Sequence, residues 1–161
     1  MPDDNEVELF WRYLKSSVDN IIKCLEGLDE ADINWKPLDN ANSLYVLAVH
    51  TIANVEENIL GGLCGLKIDR RREEEFKAKG SSLEMIQKRW QEVQNNIASS
   101  LGQISPGDLD KEYEHPRRGK VTGRDLLIVA ARHAAEHMGH AELTRDLLFK
   151  ARGRAIPYRK Y

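Results

Sequence analysis

A chain of 161 residues is long enough for one ordinary domain to bury a core without disulfide staples. Its 24 Lys and Arg against 26 Asp and Glu give a formal net charge of -2, which leaves no basic excess for phosphate contacts and argues against nucleic acid as a principal partner. With 41% hydrophobic and 31% charged residues, 11 Gly and 5 Pro, the composition suits a helical globular protein better than a disordered or fibrous one.

The opening Met1-Pro2-Asp3-Asp4-Asn5-Glu6 is acidic and lacks the basic-then-apolar order of a signal peptide. No apolar run approaches membrane-spanning length, so a cytoplasmic protein without a membrane partner is expected. Cys24 and Cys64 form no CxxC arrangement and read as buried free thiols.

Between residues 6 and 28, Val7, Trp11, Leu14, Val18, Ile21, Leu25 and Leu28 recur at spacings of four and three, the period of one helix face. Asp29-Glu30-Ala31-Asp32 then begins a loop through Trp35-Lys36-Pro37. Ser43 can cap a second helix, whose opening Leu44-Tyr45-Val46-Leu47-Ala48-Val49 is apolar on every side and should be deeply buried. That helix is expected to end at Gly61-Gly62. Arg70-Arg71-Arg72 and Glu73-Glu74-Glu75 follow in a connector long enough to cross from one end of a bundle to the other, its charges read as a solvated face.

Ser81 and Glu84 have the spacing of a capping box, and Leu83, Ile86, Trp90, Val93, Ile97 and Leu101 repeat the helical period. Pro106, Gly107, Pro116 and Gly119 make residues 104 to 121 an irregular excursion. Thr122 and Asp125 can cap a fourth helix running to about Gly153, before an extended basic tail from Ala155 to Tyr161. No internal repeat and no strand-length alternation argues for a second unit, so residues 1–161 read as a single all-α domain, a four-helix bundle with a long crossover between helices two and three.

The stripe Leu126, Ala130, His133, His137, His140, Thr144, Leu147 places three histidines in the seam of helix four. Buried imidazoles without partners cost free energy, and a metal ion would compensate them. His133 and His137 lie one turn apart and can aim at one point, and His50, alone among the histidines on helix two, can reach the same point from across the bundle. Three imidazoles leave a coordination position open, as in catalytic sites. His50 shares its face with Asn54, Glu57 and Asn58, a polar stripe that is either the wet side of the helix or the wall of a pocket containing Asn54 and Glu57. Glu136-His137-Met138-Gly139-His140 is not the zinc-protease HExxH, because the histidines stand three apart and the Glu is misplaced. Neither paired Glu-x-x-His motifs for a di-iron site, nor a phosphate loop, nor GxSxG is present.

Trp35-Lys36-Pro37, Asn42-Ser43-Leu44, Leu47-Ala48-Val49-His50 and the run from His133 to Leu143 resemble the DinB superfamily, which includes YfiT-like proteins and mycothiol- and bacillithiol-dependent transferases. The resemblance implies a four-helix bundle holding a divalent metal, most often zinc or nickel, through His50, His133 and His137, with His140 lining the pocket. The family's frequent His-Arg-Gly-Gln is here His137-Met138-Gly139-His140, and Gly139-His140-Ala141-Glu142 looks like the mycothiol-transferase branch. It further implies a thiol S-transferase that uses a low-molecular-weight thiol cosubstrate and a small electrophile, with Arg117, Arg118 and Lys120 either solvated or receiving cosubstrate carboxylates. The rivals are a non-catalytic metal- or ligand-binding module of a stress response, compatible with a homodimer, and a metal-dependent hydrolase that needs no thiol.

Overall fold

The structure is a computed structural model that describes residues 6–158; Met1–Asn5 and Arg159–Tyr161, which hold most of the acidic opening and the end of the basic tail, lie outside the described residues. Helix α1 (Glu6–Lys23) buries Val7, Leu14, Val18, Ile21 and Ile22 on the face that the spacing selects. The stretch after it is not wholly loop. Asp29 accepts a hydrogen bond from the Asp32 amide and starts a one-turn helix, α2 (Glu30–Ile33).

Ser43 caps α3 (Leu44–Val55) by accepting from the Val46 amide, and nearly every residue of that helix is buried. The helix ends at Leu63, one residue past the glycine pair, as expected. Before its end it widens into a π-helical continuation, Glu56–Leu63, closed by the Cys64 amide donating to the Ile59 carbonyl at 2.8 Å. A Cβ on Gly62 would lie 2.9 Å from Leu126 Cδ1, so the glycine there also permits close approach of the last helix.

The chain from residue 64 to 83 then retraces α3 from end to start. Ile68 lies against Gly61, Arg70 reaches Glu57, Glu75 of the short helix α4 (Arg72–Glu75) reaches His50, and Gly80 packs on Tyr45. This is the expected crossover, and it returns α5 (Glu84–Leu101) to run beside α3 in the same direction, with Arg89 meeting Glu56. The expected Ser81–Glu84 capping box does not form: Leu83 occupies the cap position without a side-chain bond. Ile86, Trp90, Val93, Ile97 and Leu101 are buried, and Trp90 Nε1 donates to Asp19 at 2.7 Å, tying α5 to α1.

Residues 104 to 121 are more regular than their prolines and glycines suggest. Pro106 opens a short helix, α6 (Pro106–Leu109), and strands β1 (Glu112–His115) and β2 (Gly119–Thr122) pair antiparallel with Tyr113 opposite Val121. Four residues per strand carry too little alternation to stand out in sequence, and Gly119, at φ +70°, makes the turn. Thr122 and Asp125 form the expected capping box of α7 (Gly123–Ala151). Ala130, Ala134 and Ala141 are fully buried, and these small side chains let α7 pack closely on α1, its most extensive partner, and on α3. The four long helices make an all-α bundle around one core, and among the described residues no helix is long and apolar enough to cross a membrane.

Candidate metal centre

The innermost line of α7 is Leu126, Leu127, Ala130, Ala134, Ala141, Thr144 and Leu148, so the expected stripe is inside at Leu126, Ala130 and Thr144, but its histidines lie along the edge of the core and not in its middle. His133 and His137 are half-buried, and His140 and Leu147 are exposed. His50 projects from α3 to meet them and is 4% exposed. His133 Nε2 stands 3.0 Å from His50 Nε2 and 3.2 Å from His137 Nε2, and ligand atoms of all three residues lie within 4.8 Å of one another. The three side chains named from spacing are thus brought to one point.

The His50 ring is fixed from behind. Its Nδ1 donates to Glu75 Oε2 at 2.7 Å, which commits the lone pair to Nε2, the atom that faces the other two histidines. Glu75 in turn accepts from Arg70 Nε at 2.7 Å and from Nη2 at 2.9 Å. Burial alone would push the Glu75 carboxyl up, but hydrogen bonds from Arg70 and His50 outweigh it and hold the group at about 2, so it stays ionised. Burial, reinforced by the neighbouring imidazoles, drives His133 down to about 3 and His137 to about 4. Both rings are neutral near pH 7 and keep lone pairs available.

The Nε2 atoms of His50, His133 and His137 crowd one point, and His133 Nδ1 is buried without a hydrogen-bond partner among the described residues. The donor set therefore fits a borderline divalent cation, and His50, His133 and His137 could hold one. A histidine oriented by a carboxylate is the usual support of such a ligand.

The remaining site residues sort by contact. His140 lies beside the centre, its Nδ1 3.2 Å from His137 Nδ1. Glu57 is buried but touches none of these histidines except through Arg70, which donates to it from Nη1 at 2.8 Å. Its other partner is Arg117, whose Nη1 donates at 2.8 Å and whose Nη2 forms a second, shorter bond. Arg117 at the hairpin tip is thus engaged by the protein itself, and Lys120 faces Glu112. Asn54 is buried one turn past His50, where its carbonyl accepts from the Asn58 side chain.

Arg70 and Glu75, at the two ends of a charge run read as solvated, are the groups sequence reasoning missed. Their side chains are almost fully buried, whereas Arg71, Arg72, Glu73 and Glu74 between them are exposed. Only the position of Phe76, whose ring lies 4.8 Å from that of His50, hints in the sequence that the connector turns inward there. His115, on β1, is a second omission: it is buried, its Nε2 lies 3.7 Å from Glu57, and burial pushes its pKa down.

The sequence model of the DinB superfamily matches residues 13–141. Among solved structures, a conserved protein from Enterococcus faecalis is similar with a TM-score of 0.73 at 18% identity, covering 91% of this chain and 98% of that one. A DinB-like protein from Bacillus cereus ATCC 10987 is similar with a TM-score of 0.68, also at 18% identity, covering 94% of this chain and 95% of that one. A search of curated proteins found no match. At such identities the two structures speak for the fold alone, and the family match carries the assignment: the chain belongs to the DinB superfamily.

Proposed function

We propose that this DinB protein is a divalent-metal enzyme that transfers a low-molecular-weight thiol to a small electrophile. The observation that carries the reading is the convergence of three imidazoles, one of them held in register by a buried Glu75–Arg70 pair. A structural site would close its coordination with a fourth protein ligand, and among the described residues no fourth His, Cys, Asp or Glu joins the group. Zinc or nickel, held by His50, His133 and His137, would favour the thiolate over the thiol of a bound cosubstrate.

The protein's own part is to present three imidazole rings at fixed angles. Glu75 keeps the proton of His50 on Nδ1, and Arg70 keeps Glu75 anionic. Half-burial keeps His133 and His137 unprotonated at neutral pH. The reading has the protein act on a small molecule in the cytoplasm, with neither nucleic acid nor membrane as partner.

Elemental analysis of protein purified without an affinity tag should find zinc or nickel near one equivalent in wild type and little in His133→Ala. Metal-loaded wild type should then conjugate a model electrophile with bacillithiol, mycothiol or glutathione, and His137→Ala should not. Turnover without any thiol would replace this reading with the hydrolase, and metal binding with no activity would leave a non-catalytic module.

A further inference from the structure

One turn along the α3–α7 seam from the histidine cluster lies a cleft of about 590 Å³, within the range of about 300–1,000 Å³ typical of small-molecule sites. Trp35, Pro37 and Leu38 of the loop before α3 form one wall, and Leu47 of α3 with Leu143 and Leu147 of α7 form the others. No Asp, Glu, Lys or Arg lines it; the polar groups that reach it are Thr144, two asparagines and His140. Leu38 is 68% and Leu143 58% exposed, among the largest apolar side chains that the described residues leave in water. Apolar surface collected in a hollow marks a place where something binds.

The hollow has fixed walls. Asn34 donates to the Gly80 carbonyl at 2.7 Å and accepts from the Gly80 amide at 3.1 Å, so the loop carrying Trp35 to Leu38 is clamped to the crossover. Asp32, just upstream, pairs with Arg152 at 3.0 Å and Arg154 at 2.6 Å, which ties the same loop to the end of α7. A rigid cavity with apolar walls costs its ligand little ordering, whereas a flat partner surface would leave it unfilled.

We infer that this cleft binds an apolar, uncharged small molecule, the electrophile in the reaction proposed above, with His140 at its inner edge. Leu47 stands one turn before His50 on α3, and His140 one turn after His137 on α7, so both helices that supply candidate metal ligands also wall the cleft. His140 is the shared element, since it lines the cleft and its Nδ1 lies 3.2 Å from His137 Nδ1. The delivery of substrate toward the histidines rests on the functional reading above; the binding of apolar ligands does not.

The test uses the full chain and N-phenyl-1-naphthylamine, an uncharged probe that fluoresces in apolar surroundings. Wild type should bind it saturably, and Leu38→Asp and Leu143→Asp, both at exposed positions, should each weaken binding tenfold or more with circular dichroism, thermal midpoint and zinc affinity unchanged. In the cobalt-loaded protein, saturation with the probe should shift the visible bands. Unaltered probe binding in both variants overturns the inference, as does a wild-type dimer in sedimentation that Leu143→Asp dissociates while probe binding rises, which would make the face an interface between copies. Probe binding without metal uptake sinks the enzyme reading and leaves the cleft standing; metal uptake without probe binding does the reverse.

Discussion

Replacing Glu75 with glutamine separates two things the side chain does at once. In the wild type its carboxylate accepts three hydrogen bonds, from His50 Nδ1 at 2.7 Å and from Arg70 at 2.7 and 2.9 Å, in surroundings almost closed to water. Glutamine keeps the shape and one acceptor oxygen but loses the charge, leaving Arg70 with Glu57 as its sole carboxylate. Breaking a buried pair outright costs about 3–5 kcal/mol, and with part of the hydrogen bonding retained a loss of roughly 2–3 kcal/mol is expected. A domain with about 5–15 kcal/mol in hand stays folded under that loss. The His50 proton is then no longer confined to Nδ1, so zinc affinity should fall about 10- to 100-fold, the usual effect of removing such a support. Urea unfolding gives the first quantity, and competition for zinc against a chelator of known affinity gives the second. Lowered stability with wild-type zinc affinity would refute the argument, because Glu75 would then be a structural partner of Arg70 and no more.

Other outcomes follow from the same geometry. A Cβ on Gly123 would lie 2.6 Å from the Asp108 carbonyl oxygen and 2.9 Å from Leu109 Cα, backbone atoms that cannot step aside, so Gly123→Ala should cost about 1–3 kcal/mol in urea unfolding. Gly139, also on α7, has nothing within 4 Å of such a Cβ, and Gly139→Ala should raise stability by roughly 0.5–1 kcal/mol with zinc binding intact. Ile97 is fully buried, and Ile97→Ala should cost about 2–5 kcal/mol. Asp32 is held below its ordinary pKa: burial opposes this, but the hydrogen bonds and charges of Arg152 and Arg154 prevail. A depressed folded value means that its stabilisation is complete above the unfolded pKa near 3.8 and is lost as pH falls through the lower folded value. Thermal midpoints of wild type and Asp32→Asn should therefore differ at pH 7 and draw together as pH falls below the unfolded value; a gap that does not narrow in acid would contradict the ion pairs.

The helices α1 and α5 were legible because each buries one stripe and α3 because it is apolar all round, and Ser43 and Thr122 with Asp125 mark the starts of α3 and α7 through local hydrogen bonds that neighbouring residues already specify. The hairpin was not, since four-residue strands give periodicity nothing to act on. On α7 the three histidines and the alanines Ala134 and Ala141 lie on neighbouring rows, and spacing alone cannot say which faces inward when the inner row is built of small residues. The support of His50 was invisible for a different reason: Glu75 lies 25 positions away, a separation that local pattern does not address, and its flanking charges disguise it as surface.

The ring that α3 contributes stands 83 positions ahead of the first ring from α7. No stretch of nascent chain ending before the final helix can grip an ion with all three imidazoles, so the centre is among the last features to be assembled during synthesis. An ion held there would clasp the two halves of the polypeptide together, and its chelation should loosen the whole bundle rather than one loop.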